Sequence, residues 1–216
     1  MIRHHPSGAV LARYSAGSID PGAALAVGLH VDGCSQCRSE VAFLNGLGGS
    51  LLARTDPVSI SEGALEHMLA RLDKEPLPAR SPAARPDFLS RFDLPRRLQR
   101  IDIGSRQWLA PGIWFAPVEA EPGSASRTYL LYGAKGKMLP RHTHPGKELT
   151  VVLNGAYIDD LGRFSQGDFA EADETISHAQ QVTDDGECLC LITSAGPMKP
   201  EGLIARAVQI FAGRRY

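Results

Sequence analysis

The chain has 216 residues, 43% of them hydrophobic, which is enough for two small domains or one large one. Its 23 basic and 24 acidic residues nearly cancel to a net charge of -1, so no bulk field favours nucleic acid or an anionic membrane. No apolar run reaches the roughly 20 residues of a membrane span and the N-terminus lacks a signal-peptide core, so we expect a cytoplasmic protein that binds neither nucleic acid nor membranes directly.

The first 73 residues are predicted to form four helices. Ser7 is placed to cap a first helix that ends near Gly17. Asp20-Pro21 indicates the start of a second helix, because proline fits the first helical turn, where its missing N–H is not needed. Gly33 interrupts the helical pattern, so we expect the second helix to end there and a third to begin with the cysteines that follow.

A fourth helix is predicted from Ser59, because Ser59 and Glu62, three residues later, have the spacing of a capping box. Leu65, Met68, Leu69 and Leu72 then form one apolar stripe at helical spacing.

The next segment, residues 74–90, is predicted to be a linker between two domains. It carries prolines at positions 76, 78, 82 and 86. Proline at that density disfavours both helix and sheet and gives a semi-rigid, extended spacer.

After the linker, and clearly from about residue 98, the sequence changes to short β-like runs separated by glycine. Examples are GIWFAPVEA, RTYLLYGA, ELTVVLNGAYID, GECLCLITS and IARAVQIFA. Many short strands without helical patterns between them predict an antiparallel barrel or jelly roll. The expected fold is therefore an all-α domain in residues 1–73 and an all-β domain in residues 91–216.

The stretch HVDGCSQC brings His30, Cys34 and Cys37 within eight residues. All three side chains bind soft divalent metals well, and a reducing compartment makes close cysteine pairs ligands more often than disulfides. A zinc site is therefore favoured over two buried thiols beside a surface histidine. Spacing alone leaves the fourth ligand open among nearby candidates, which are His4, His5, Asp32, Glu40 and His67.

A second group of metal-binding residues lies in GKMLPRHTHPGKELTVVLNG. The alternation of a strand puts His142 and His144 on one face, and Glu148 joins them once Pro145-Gly146 bends the chain. Two imidazoles and a carboxylate suit Zn, Fe, Mn, Ni or Cu. Such a site can be structural or can leave a position open for catalysis, and the spacing does not decide between the two.

Cys188 and Cys190 lie on one apolar strand and point to the same face, with Cα atoms about 6.5 Å apart. This separation is near the upper limit for a disulfide, so a bridge between them would be strained. We interpret them first as small core residues of the barrel. The alternative is a pair of oxidant-sensitive thiols near the second metal site.

The first motif, His30-x3-Cys34-x2-Cys37 with an upstream histidine, resembles the signature of the zinc-binding anti-sigma factors. The resemblance implies that the upstream ligand is the second histidine of RHH, which is His5, with His4 as the alternative.

The second motif, from Gly136 to Gly155, resembles the first cupin motif. GDFAEADETISHAQQV is similar in spacing to the second cupin motif and implies a further ligand at His178. It departs from that motif at Asp173, Thr175 and Val182, positions that affect the turn and the strand exit more than the ligand.

The combination of both motifs around a proline-rich linker resembles the ChrR type of anti-sigma factor over nearly the whole chain, including GGSLL, ISEGAL, ELTVVLNGAY and RFSQGD. The resemblance implies two bound Zn²⁺ ions and no catalytic residues. It also implies that the helices sequester an extracytoplasmic-function (ECF) sigma factor and release it when the cupin domain senses singlet oxygen or organic hydroperoxides. The main alternative is a metal-dependent cupin oxygenase or isomerase, and a third is a small-molecule sensor with no sigma partner.

Overall fold

A computed structural model describes residues 1–74, 85–120 and 124–200. Four α-helices occupy the N-terminal part: Gly8–Ser15 (α1), Pro21–Gly33 (α2), Ser35–Leu52 (α3) and Ala64–Lys74 (α4). Two short 3-10 helices, Asp87–Leu89 and Leu98–Arg100, precede the strands. No helix in the described part of the chain is long and apolar enough to cross a membrane.

The ends of the first helices follow from their capping residues. The Ser7 hydroxyl accepts the N–H of Val10 at 3.4 Å, and the Asp20 carboxylate accepts the N–H of Gly22 at 2.9 Å. Helix α2 ends at Gly33, and Cys34 separates it from α3 with an extended backbone (φ -111°, ψ 110°). The predicted starts of α1 and α2 and the predicted break after Gly33 are confirmed.

The predicted start of the fourth helix at Ser59 is wrong, because α4 begins at Ala64. Gly63 has a φ of 79°, in the left-handed region, so a right-handed helix cannot run through it. The pair Ser59 and Glu62 therefore stands ahead of the helix and does not cap it.

Eleven strands form two antiparallel sheets in the described part of the chain. They are Gln107–Ala110 (β1), Ile113–Pro117 (β2), Arg127–Gly133 (β3), Met138–Thr143 (β4), Glu148–Asn154 (β5), Ala156–Asp159 (β6), Gly162–Ser165 (β7), Phe169–Ala172 (β8), His178–Val182 (β9), Cys188–Ser194 (β10) and Lys199–Pro200 (β11). One sheet has the order β1-β2-β3-β10-β5-β8 and the other β11-β4-β9-β6-β7. The predicted all-β half is thus confirmed, while the strand predicted in IARAVQIFA lies outside the described residues.

Helix α2 packs on one face of the six-stranded sheet and is itself contacted by α1 and α3, and the five-stranded sheet covers the other face. Along β10, Leu189 and Leu191 share a core with Val27 of α2. The alternating residues Cys188 and Cys190 face the space between the two sheets. Helices and barrel therefore share one hydrophobic core, although the sequence predicts a linker between them.

A close approach of α2 to the sheet depends on Gly22 and Asp20. A Cβ atom at Gly22 would lie 2.2 Å from Oγ1 of Thr128, so only glycine allows this spacing. Asp20 joins the start of α2 to the loop before β3. Burial raises the pKa of Asp20, but hydrogen bonds lower it more, to about 2. The donors are Ser126, Ala125, Ser124 and Gly22.

Candidate metal centres

Four side chains meet where α2 passes into α3: His5, His30, Cys34 and Cys37. Nδ1 of His5 lies 3.4 Å from each of the two Sγ atoms and 3.4 Å from Nε2 of His30. A tetrahedral zinc ion with these ligand types holds its ligand atoms roughly 3.3–3.8 Å apart. The separations in this group, which we call the first cluster, therefore fit a tetrahedral metal ion.

The chain break at Gly33 makes the first cluster possible. His30 lies in the last turn of α2, Cys34 sits between the helices and Cys37 lies in the first turn of α3. The side chains thus converge from two helices that are separated by one residue of extended backbone. His5 enters from the extended segment ahead of α1.

The other candidates for the fourth position lie elsewhere. His4 turns to the barrel, where its Nε2 donates to the carbonyl oxygen of Arg163 at 3.1 Å. Asp32 forms a two-point ion pair with Arg97, at 2.6 and 2.9 Å. Glu40 and His67 are exposed. The structure therefore brings His5, and none of these four, to the first cluster.

A hydrogen bond from the barrel orients His30. Its Nδ1 lies 2.8 Å from the carbonyl oxygen of Gly167, and because a carbonyl only accepts, Nδ1 carries the proton. Nε2 then has its lone pair free toward the cluster, as a metal ligand requires. Burial is the main cause of a lowered pKa at His30, which favours the neutral, metal-binding form.

The thiol of Cys37 is the most strongly perturbed group of this cluster. Burial, together with the neighbouring Cys34, raises its pKa to about 12. A positive ion at the centre would oppose both effects, because it stabilises the thiolates that otherwise repel one another. The donor set is therefore consistent with a divalent metal that displaces a proton on binding.

A second cluster lies inside the barrel and consists of His142, His144 and His178, all buried. His142 and His178 are direct partners in the β4–β9 pair. The chain turns between β4 and β5 at Gly146, whose φ is 76°, and this turn brings Glu148 back to the histidines. Glu148 places one oxygen 2.9 Å from Nε2 of His144 and the other 3.9 Å from Nε2 of His178.

Several polar atoms of the second cluster fit a metal ion. Nδ1 of His144 and Nε2 of His178 are buried without a hydrogen-bond partner, and the one polar group described at Nε2 of His144 is the Glu148 carboxylate. His142 donates from Nδ1 to the carbonyl oxygen of Pro140 at 2.8 Å, which leaves Nε2 as its free ligand atom. Burial, followed by the neighbouring His178, lowers the pKa of His142 to about 4, although Pro140 and Glu148 oppose this. His142 is therefore neutral at physiological pH.

Asp159 at the end of β6 is a functional candidate that the sequence did not reveal. Its carboxylate is 1% exposed and lies 3.5 Å from Nδ1 of His178, on the side of the ring away from the cluster. Carboxylates in this position commonly orient metal-binding histidines. Asp159 belongs to neither cupin motif, and only the pairing of β6 with β9 brings it to His178.

Cys188 and Cys190 lie in the core between the two sheets, with their Sγ atoms 3.7 Å apart. Together with Tyr157 they line a cavity of about 30 Å³. The contact with Cys188, and then burial, raise the pKa of Cys190 well above its ordinary value. The structure therefore places both as buried core residues, and a role in oxidant sensing stays a prediction.

Comparison with known proteins decides the family. Residues 98–199 match the family model of the ChrR Cupin-like domain. The chain is 34% identical over 218 residues to the anti-sigma-E factor ChrR of Cereibacter sphaeroides, and the alignment covers 97% of this chain and 98% of that protein. The chain belongs to the ChrR family of anti-sigma factors. This confirms the family resemblance drawn from the two motifs.

A solved structure agrees with ChrR membership. The crystal structure of Rhodobacter sphaeroides SigE in complex with the anti-sigma ChrR matches with a TM-score of 0.71 and 33% identity, over 90% of this chain and 100% of that chain. Membership of an anti-sigma family makes the protein a regulator and not an enzyme, as predicted. Both candidate metal clusters thus stand in a ChrR-type protein with a helical part and a cupin part.

Proposed function

We propose that this ChrR-type protein binds an ECF sigma factor in the cytoplasm through its helices, keeps it from core RNA polymerase, and releases it when the cupin domain senses singlet oxygen or an organic hydroperoxide. The observation that carries the proposal is an unpartnered apolar surface on α3 and α4. We call it the α3–α4 surface, and it consists of Phe43, Leu47, Leu51, Leu52, Leu65, Met68, Leu69 and Leu72.

Helix α4 buries none of its residues from Leu65 to Leu72 against the described part of the chain. Every side chain from Leu65 to Leu72 is exposed, and Leu69, the least exposed of its apolar stripe, is still 50% exposed. A helix of 11 residues is marginal in water on its own, and most helical stability comes from packing an apolar face. An amphipathic helix whose apolar face is exposed in this way indicates that a partner protein binds to that face.

Helix α3 carries the remaining side chains of the α3–α4 surface. Of its 18 residues only Cys37 is fully buried, while Val41 and Leu44 are half-buried. Its large apolar side chains Phe43, Leu47 and Leu51 are all more than half exposed. These three side chains lie four residues apart and so share one face of the helix, and an exposed apolar face of this kind marks a protein interface. The relative of known structure was solved in a complex with SigE, which supports a sigma factor as the occupant.

We propose Zn²⁺ for both clusters, with the first as a closed, structural site. Two thiolates and two imidazoles are a typical structural zinc set, and soft thiolates favour zinc over hard ions. Because Cys37 is the only fully buried residue of α3, an ion at the first cluster would fix α3 against α2. For the second cluster, the proposed ligands are His142, His144, Glu148 and His178.

The shared core supports a sensing role for the cupin part. Leu149 and Val151 of β5 pack in the same core as Val27 of α2, and Glu148, a proposed ligand at the second cluster, begins that strand. A change of coordination or oxidation state in the barrel would therefore alter the surface on which α2 rests, and so the affinity of the helices for the sigma factor. The proposed units are residues 1–73 and 91–216, joined by residues 74–90.

The decisive experiment measures binding of the purified full-length chain to each ECF sigma factor of its source organism. We expect one of these sigma factors to form a complex with the chain. The transcription that this sigma factor directs with core RNA polymerase should then fall in proportion to the amount of the chain added. Exposure to singlet oxygen or an organic hydroperoxide should restore transcription. If no ECF sigma factor binds, the proposal is wrong. Turnover that depends on Fe or Mn would instead favour the cupin enzyme.

A further inference from the structure

The N-terminal segment that carries His5 is hydrogen-bonded to the barrel. Asp168, in the turn between β7 and β8, accepts the backbone N–H of Arg3 at 2.6 Å and that of His4 at 3.0 Å. Phe169 donates its N–H to the carbonyl oxygen of His4 at 3.1 Å. The two residues immediately before His5 are thus held by three backbone hydrogen bonds, two of them to a carboxylate and therefore strengthened by its charge.

The same turn also holds a second ligand of the first cluster. Gly167, next to Asp168, accepts the Nδ1 proton of His30 at 2.8 Å. Two of the four side chains in the first cluster are therefore positioned by neighbouring residues of the barrel. The other two, Cys34 and Cys37, are positioned by the helices.

The turn has the features needed for this contact. The Asp168 carboxylate is 1% exposed, and its second oxygen accepts the N–H of Ser165 at 2.8 Å, so one side chain closes the turn and holds the N-terminus. Gly167 has a φ of 90°, and a Cβ there would lie 2.8 Å from the Ile2 side chain. Glycine thus allows both the turn and the close approach of the N-terminal segment.

We propose that Asp168 is a positioning residue of the first metal centre, fixing His5 through the backbone of Arg3 and His4, so that barrel and helices hold the ion jointly. This rests on the metal site of the proposed function, but not on sigma-factor binding. The turn is also joined to β5, since Val152 donates to Asp168 at 3.0 Å and accepts from Gly167 at 2.8 Å. That strand begins with Glu148, so the two clusters are connected through one strand and one turn.

The test uses the full-length chain loaded with Co²⁺, because thiolate-to-cobalt absorption reports only the first cluster, the second having no cysteine. The rate of Co²⁺ loss to excess EDTA is compared for the unchanged chain, Asp168→Asn and Asp20→Asn. Asp20 is the matched control, since it is also a carboxylate that accepts backbone N–H groups and joins helices to barrel, but at the far end of α2.

We expect Asp168→Asn to lose Co²⁺ about 10–100-fold faster, the usual effect of removing a group that orients a metal ligand, and Asp20→Asn to stay within about twofold of the unchanged chain. Equal loss rates for Asp168→Asn and the unchanged chain would overturn the proposal, as would equal acceleration by Asp20→Asn. Absence of the thiolate absorption in the unchanged chain would instead refute the metal site itself.

A second variant separates positioning from folding of the barrel. Arg3→Pro removes one N–H that Asp168 accepts and leaves every barrel residue unchanged. We expect Arg3→Pro to accelerate Co²⁺ loss, as Asp168→Asn does, and to leave the thermal unfolding temperature of the barrel unchanged. An unchanged rate in Arg3→Pro would contradict positioning through the N-terminal segment.

Discussion

Cys37 is the only fully buried residue of α3, and its Sγ lies 3.3 Å from Nε2 of His30 in α2. Only Val41 and Leu44 of α3 pack against the hydrophobic core, and both are half-buried, so we expect a metal ion at the first cluster to contribute much of what holds α3 in place. Since α3 also carries Phe43, Leu47 and Leu51 of the α3–α4 surface, metal binding and partner binding should be lost together.

Replacing Cys37 tests this dependence. We expect Cys37→Ala to lose the metal of the first cluster, to destabilise the helical part by several kcal/mol and to lower its melting temperature by roughly 10 °C. Binding to the sigma factor should fall with it. The measurements are zinc content, thermal unfolding and binding in a reducing buffer.

Cys190→Ala is the matched control, because it removes another buried thiol that lies in the barrel core. Cys190→Ala should lower the free energy of unfolding by about 1 kcal/mol. Metal binding at the first cluster and binding of the sigma factor should stay unchanged. A Cys37→Ala chain that keeps full sigma affinity would show that α3 is held without the ion.

The α3–α4 surface gives a second prediction. Leu69→Glu places a charge in the apolar stripe of α4 and should weaken sigma binding by about 2 kcal/mol, roughly 30-fold in Kd. Because Leu69 is already 50% exposed in the free chain, its stability should hardly change. Binding is measured by titration calorimetry and stability by thermal unfolding.

Leu161→Glu supplies the control for that substitution. Leu161 is 54% exposed, but it lies in the turn between β6 and β7 of the barrel. The Leu161→Glu variant should bind the sigma factor as tightly as the unchanged chain does. Equal losses in both variants would place the interface outside α4.

Local sequence spacing predicts some residues of the candidate metal sites but not others. His30, Cys34 and Cys37, like His142 and His144, lie close in sequence around one break or one strand end, so their spacing suffices to group them. His5 is different, because spacing left five candidates open and only the family resemblance singled it out. The failed capping box at Ser59 shows the limit of local signals, since the backbone of Gly63 decides where α4 begins.

The groups that orient the ligands could not be predicted from the sequence in the same way. Gly167 is 137 residues from His30, and Asp168 is 164 residues from His4. Such contacts arise because the helices pack on the barrel, and the periodicity of the sequence does not predict which residues meet there. The sequence therefore indicates a purely barrel role for GDFAEAD, whereas its first two residues, Gly167 and Asp168, also hydrogen-bond to His30 and to the N-terminal segment.

Asp159 provides a third prediction, at the second cluster. In Asp159→Asn the amide nitrogen can face Nδ1 of His178 and donate to it, which would put the ring proton on Nε2, the atom that should bind metal. We expect the metal affinity of the second cluster to fall about 10–100-fold. Competition with a chromophoric chelator, after the first cluster has been loaded, measures this affinity.

The neighbouring residue is a close control for Asp159. Asp160 is an exposed carboxylate that pairs with Arg141 at 2.8 Å. Asp160→Asn should leave the metal affinity of the second cluster unchanged. If both variants bind metal as tightly as the unchanged chain, Asp159 does not orient His178.

The fourth prediction concerns the pH dependence of the contact between α2 and the barrel. The pKa of Asp20 is about 2 in the folded chain, below its ordinary value of 3.8, because its hydrogen bonds outweigh the effect of burial. A lowered folded-state pKa contributes stability that is fully present above the unfolded pKa and is lost as the pH falls through the folded value. After discounting for solvent exposure, we expect this contribution to be about 1 kcal/mol at neutral pH.

Asp20→Asn isolates that contribution, because asparagine caps a helix as well as aspartate does but carries no charge. The variant should be less stable than the unchanged chain by about 1 kcal/mol from pH 7 down to about pH 4, with the difference shrinking between about pH 4 and 2. Urea unfolding at stepped pH measures it, and Asp56→Asn, at an exposed carboxylate between α3 and α4, controls for general charge effects. A difference that stays constant down to pH 2 would mean that the ionised carboxylate does not hold α2 to the barrel.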